Sequence, residues 1–168
     1  RCWSILRWYC PLKLFHSKIF YVGKIFRLPK KEFIEHLKKK YNKNNTELLV
    51  TIAAGGGGET VFLKQVTDFF HKIGLIIEKV NKKRQDNKTK HIRWLLIKGP
   101  LFRGELNLHS NIDIRDYERH LPELFSISDL VISTGGYNSV NEIIGSRTPA
   151  LLYPLTKRVD SQVMRILA

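Results

Sequence analysis

Residues 128–154 read SDLVISTGGYNSVNEIIGSRTPALLYP, a pattern of strand, glycine turn, helix, turn and strand. Leu130, Val131 and Ile132 form a short apolar strand. Thr134-Gly135-Gly136 is a turn whose glycines let the backbone approach a ligand closely. Residues 137–144 keep helical spacing, and Gly145 lies where the helix is expected to stop. Ala150, Leu151, Leu152 and Tyr153 form a second buried strand, which Pro154 ends. A unit of this kind aims a helix N-terminus and free backbone N–H groups at whatever lies above the turn. That arrangement suits a phosphate. Glu142, inside the helix, is then placed to reach the rest of a nucleotide.

Working outward, the same alternation continues. Residues 19–22 read as a strand running into Gly23. Pro29 opens a helix whose apolar residues are Phe33, Ile34, Leu37 and Tyr41, and residues 42–45 are a polar break. Residues 48–53 are a strand, followed at once by Gly55, Gly56, Gly57 and Gly58. A long amphipathic helix is expected over 59–80, with Gly74 a candidate break, and 81–90 (NKKRQDNKTK) as a solvated loop. Residues 92–97 form the next strand, ended by Gly99-Pro100. Ile112 and Ile114 alternate as a short strand, 121–125 are helical, and a last helix starts at Ser161. Strands alternating with helices from residue 48 onward imply a parallel sheet covered by helices, a doubly wound, Rossmann-like α/β domain. In such sheets ligands bind at the carboxyl ends of strands, where both glycine turns fall.

At 168 residues, with 43% hydrophobic content, the chain is long enough for one domain with a core and some extra. Its 29 Lys+Arg stand against 15 Asp+Glu, a net +14. Such a charge fits a solvated basic surface about as well as attraction to an anionic membrane. Nucleic acid is not expected as a partner, because the basic runs at 38–40 and 81–90 carry no interleaved aromatics for stacking bases. Cys2 and Cys10 are too few for a disulfide framework, so a cytoplasmic setting is expected. The aromatic, basic segment 1–22 is interrupted by Arg7, Pro11, Lys13 and Lys18 and has no cleavage pattern; no apolar run reaches membrane-spanning length. The first residue is Arg1 and the last, Ala168, falls within a helical pattern, so a piece of a longer protein is expected.

Taken singly, the motifs stay ambiguous. The four glycines at 55–58 lack the Gly-Lys-Ser/Thr of a phosphate loop and are not Gly-x-Gly-x-x-Gly. A tight strand-to-helix turn explains them equally well; a second glycine turn on the same sheet edge tips the balance to a nucleotide or nucleotide-sugar site. Asp160 and Gln162 could meet sugar hydroxyls, but Asp160 as a helix cap is the favoured reading from residues alone. The six histidines show no metal-ligand spacing, and no Asp-x-Asp triplet is present, so no metal and no cofactor are expected.

The stretch DLVISTGGYNSVNEIIGSRTPALLYP followed by DSQ resembles the nucleotide-sugar-binding C-terminal domain of family 28 glycosyltransferases. Those enzymes have the GT-B architecture, and the peptidoglycan UDP-GlcNAc transferases are their best-known members. YVGKIFR (21–27) resembles the entry to that domain, VTIAAGGGG (50–58) its first strand and turn, and KGPLF (98–102) a group of bacterial glycosyltransferases. The resemblance covers residues 19–168, most specifically 128–162. It implies 1–45 as the end of an N-terminal domain and crossover, and 46–168 as the donor-binding domain.

The resemblance also implies roles. Glu142 would bind the ribose hydroxyls. Gly135, Gly136, Asn138 and Ser139 would hold the diphosphate, with Gly56, Gly57 and Gly58 on the facing turn. The backbone at Tyr117 and Glu118 would meet uracil, with Arg27 near the base. Gln162 and Asp160 would meet the donor sugar. The glutamine that follows in the peptidoglycan enzymes is Val163 here, so GlcNAc as the sugar does not follow. The expected activity is metal-independent, inverting hexosyl transfer from a UDP-sugar. The catalytic base would come from the other domain, so this chain should bind donor without turnover. The acceptor would be a lipid-linked or other glycan, at the inner membrane face. Other readings are a separate donor subunit with a membrane partner, a UDP-sugar hydrolase or epimerase, and a plain nucleotide-binding module.

Overall fold

The computed structural model describes residues 25–41, 43, 46–56, 62–84, 90–108, 111–156 and 161–167. The expected strand at 19–22 lies outside them. The described elements run α1 (Lys31–Lys40), β1 (Glu47–Ala53), α2 (Leu63–Lys83), β2 (His91–Ile97) and β3 (Ile112–Arg115), then α3 (Leu121–Ile127), β4 (Leu130–Thr134), α4 (Tyr137–Ser146), β5 (Ala150–Tyr153) and α5 (Gln162–Leu167). The five strands form one sheet in the order β3-β2-β1-β4-β5, and every neighbouring pair is parallel. The doubly wound, Rossmann-like α/β fold expected from the sequence is therefore present.

Strand alternation explains the two layers. Along β1, Val50 and Ile52 point to one face and Leu49 and Ala53 to the other. The first face packs against Val66, Phe69, Phe70, Ile73 and Ile77 of α2, with Trp94, Leu96 and Ile132 from neighbouring strands. The second packs against Leu37 and Tyr41 of the α1 region, Leu124, Phe125 and Ile127 of α3, and Ile143 of α4. With both faces covered, the central strands read as apolar runs, as parallel strands must. From β1 the chain crosses to β2 over one face; from β4 it crosses to β5, in the opposite sheet direction, over the other. Right-handed crossovers require this exchange of faces. The switch point lies between β1 and β4.

Several boundaries differ from the sequence reading, each for a packing reason. α4 does not stop at Gly145; it continues to Ser146 and closes on Arg147, which has φ 57 and donates its N–H to the Ile144 carbonyl. Gly145 is instead a close approach, since a Cβ there would lie 2.6 Å from Phe26 Cδ2. Gly74 does not break α2; it is buried within the helix, where a Cβ would meet Leu108 at 2.8 Å. α2 starts at Leu63 and extends past Val80 to Lys83, so the loop begins later than expected. There Asn81 Oδ1 accepts the Trp94 indole N–H at 3.1 Å. At the start of α5 the Ser161 hydroxyl accepts the Met164 N–H at 3.3 Å, while Asp160, expected as a helix cap, lies outside the described residues.

Candidate functional site

The carboxyl ends of β1 and β4 are adjacent, with Ala53 paired to Ser133. β4 runs directly into Gly135, and β1 reaches Gly55 one residue later, after Ala54. Gly55 has φ 70, a left-handed conformation that favours glycine, and a Cβ on it would lie 2.9 Å from Ser139 Oγ. The two glycine turns therefore meet at the switch point, with the first turn of α4 between them. Gly56 faces open space, and its carbonyl accepts the Leu101 N–H at 3.0 Å, which ties the 98–102 segment to the turn. Gly136 is the N-cap of α4 and supplies no side-chain acceptor. The N–H groups of Tyr137, Asn138 and Ser139, in the helix's first turn, have no acceptor one turn back. Asn138 is exposed and Ser139 is buried. A helix start of this kind favours an anion.

Gln162 reaches the same place from α5. A Cβ on Gly135 would lie 3.1 Å from Gln162 Cβ. Gln162 is buried, and its Oε1 accepts the Leu155 N–H at 2.9 Å, so that oxygen already holds the loop after β5. One residue at the turn escaped the sequence reading. Arg165 Nη1 donates to the Gly135 carbonyl at 2.6 Å, and its guanidinium lies 5.6 Å from the Tyr137 ring centroid. Its place three residues after Gln162, on the same helical face, is the signal that would have found it. Gly57, Gly58 and Asp160 lie outside the described residues.

The second group of residues stands on the α3–α4 side. Glu142 is one turn along α4 from Ser139, about 4.5 Å along the axis at 1.5 Å per residue. Burial raises its carboxyl above the ordinary range; Arg27 pulls it down and Glu123 pushes it up. Arg27 is exposed and donates from Nη2 to the Arg119 carbonyl at 3.5 Å. Tyr117, two residues before Arg119, is exposed. Glu118 is buried, and its carboxylate is fully used: Oε2 accepts from Lys40 Nζ at 2.6 Å and Tyr41 Oη at 2.8 Å, and Oε1 from the His120 N–H at 3.1 Å. The Glu118 side chain is therefore engaged within the protein, and what Glu118 can offer a ligand is its backbone.

Burial opposes ionisation of Glu118, but the bonds from Lys40, Tyr41 and His120 outweigh it and lower its carboxyl below 4.5. A lowered folded value means stabilisation that is complete above the ordinary carboxyl range and lost as pH falls through the folded one. Urea melts taken from about pH 5 down to about pH 3 should show this acid limb, and Glu118→Gln should flatten it. An unchanged slope in the variant would remove Glu118 from the account. The same bond and the burial of Tyr41 raise the phenol above its ordinary range.

Among the described residues no three His, Cys, Asp or Glu side chains cluster as metal ligands. No described helix is long and apolar enough to cross a membrane. No family model matches the chain. Part of the chain is similar to a UDP-N-acetylglucosamine–N-acetylmuramyl-(pentapeptide) pyrophosphoryl-undecaprenol N-acetylglucosamine transferase of Prochlorococcus marinus (strain NATL1A), with 31% identity over 58 residues. The match covers 34% of this chain and 16% of that protein, so the chain spans a small part of the relative's length. The resemblance to the peptidoglycan-type glycosyltransferases is thus present as a partial match, and the parallel α/β sheet is consistent with it.

Proposed function

We propose that residues 46–168 are the donor-binding half of a GT-B glycosyltransferase and that the site at the switch point takes a UDP-sugar. The observation that carries this is the meeting of Gly55 and Ser139 across two strand ends, with Glu142 one turn farther along the same helix. The diphosphate sits against the first turn of α4 and the glycine turns. Free backbone N–H groups and the Arg165 guanidinium offset its charge, and the departing nucleoside diphosphate is stabilised there without a metal. Glu142 accepts the ribose hydroxyls, the 117–119 backbone faces the base with Arg27 alongside, and the donor sugar lies toward Asp160 and Gln162. Residues 1–45 lead in from the acceptor-binding domain, which contributes the catalytic base.

A thermal-shift series with the 168-residue protein tests this reading. UDP and UDP-sugars should raise the Tm, whereas uridine and free hexoses at equal concentration should not. Equal shifts from all of them, or none from UDP, would sink it. Incubation with UDP-GlcNAc alone should release no free sugar; release would favour a UDP-sugar hydrolase of the same architecture.

The surplus of basic residues supports a second, independent element of the proposal: docking on the inner face of an anionic membrane, where a lipid-linked acceptor would be met. Sedimentation with anionic vesicles should show binding that weakens as salt rises, and none with neutral vesicles. Absence of binding at low salt would remove this element without touching the donor site.

A further inference from the structure

We propose that Glu123 is a positioning residue for the nucleoside end of the site: its buried side chain pins the 25–30 segment and so fixes where Arg27 stands relative to Glu142. The role in ligand binding rests on the donor-site reading above; the pin itself does not. Glu123 lies in the first turn of α3 and is only 1% exposed. Its Oε1 accepts the Lys30 N–H at 3.2 Å. Its Oε2 is buried with no hydrogen-bond partner among the described residues. A carboxylate buried in this way costs free energy that a leucine of similar size would avoid.

Electrostatics does not explain its presence either. Glu123 makes ionisation of Glu142 harder, whereas Arg27 makes it easier. Placing a like charge beside the carboxylate that receives ribose weakens the site unless Glu123 does something else there. Its bond to Lys30 supplies that role. Arg27 lies three residues before Lys30, on a segment held at a second point by α4. There Phe26 packs on Gly145, and a Cβ on that glycine would also come within 3.6 Å of the Arg27 carbonyl. Glu123 on α3 and Gly145 on α4 thus grip the segment on both sides of Arg27. The guanidinium is directed to the Arg119 carbonyl, in the loop assigned to the base.

A double-mutant cycle on the 168-residue protein tests the pin, with melting curves to show that each variant folds. The first readout needs no ligand: the titration midpoint of the Glu142 carboxyl, followed by NMR. Arg27→Ala should raise that midpoint in the wild-type background and leave it in place in the Glu123→Leu background. The second readout is UDP affinity. Arg27→Ala should weaken it by about tenfold in the wild type and by less than about twofold once Glu123 is leucine. Glu123→Gln keeps an oxygen for the Lys30 N–H but removes the charge. It should retain the full effect of Arg27→Ala while lowering the Glu142 midpoint. Equal effects of Arg27→Ala in the wild-type and leucine backgrounds, on the midpoint or on affinity, overturn the proposal. Coupling in the midpoint with no UDP binding by the wild type would instead establish the pin and overturn the donor-site reading.

Discussion

Phe70→Ala should cost about 3–5 kcal/mol of stability and lower the Tm by roughly 6–20 °C. Phe70 is fully buried in the layer between α2 and the sheet. Its ring lies 5.4 Å from that of Phe69 and 5.5 Å, edge-on, from that of Phe102. Truncation removes the burial of a large ring and leaves a cavity that Val50, Ile52 and Leu96 on the strands cannot collapse into. The loss should also reach the site. Phe102 belongs to the 98–102 segment, and Leu101 of that segment holds the Gly56 carbonyl. Ligand affinity should therefore fall in the folded fraction as well. Leu75, on the outer side of the same helix and 59% exposed, is the control: its alanine variant should stay within about 0.5 kcal/mol of the wild type. A circular-dichroism melt distinguishes them, and a Phe70→Ala loss below about 1 kcal/mol would contradict the two-layer core.

Glu142→Ala should lower affinity for UDP by about 10–100-fold, the worth of hydrogen bonds from ribose hydroxyls to an ionised carboxylate. Stability should not follow. Burial raises the Glu142 carboxyl, so the folded state holds its proton to higher pH than the unfolded chain. The sign is then opposite to that of Glu118: stability falls as pH rises from the ordinary carboxyl range through the raised folded value. Glu142→Gln removes that loss and should leave the protein at least as stable near pH 7. Affinity for UDP should rise with pH over the same window, because the carboxylate is the form that accepts the hydroxyls. A side chain kept for packing would show affinity and stability falling together. One kept for a ligand shows them moving apart.

The alternation of apolar strands and amphipathic helices was enough to read the sheet, because parallel strands buried on both faces leave apolar runs such as Leu95-Leu96-Ile97. The strand order was not legible. It follows from which face each helix covers, as with Phe69 and Phe70 against Val50 and Ile52, and that pairing is long-range. Glycine was the residue most easily misread. Gly145 and Gly74 look like helix breaks in one dimension, but in three they are the spots where Phe26 and Leu108 come close. The placement of Gly55 and of Gly135-Gly136 at strand ends was legible because strand-end position leaves a local pattern. Glu118 was read for its backbone, and its side chain proved to be tied to Lys40 and Tyr41, nearly eighty residues away in sequence. Glu123 left no local pattern, since its bond reaches a backbone atom distant in sequence, Lys30 N; for Arg165 the local sign was only its place one turn after Gln162, because its bond to Gly135 O is also long-range.

The most direct test is calorimetric titration of UDP into the 168-residue protein in metal-free buffer, with Glu142→Ala run alongside. Saturable one-to-one binding by the wild type, displaced by UDP-sugars and reduced at least about tenfold in the variant, is the expected result. No heat of binding in the wild type, or equal affinities in the two proteins, would contradict a UDP-sugar site built from the two glycine turns and Glu142.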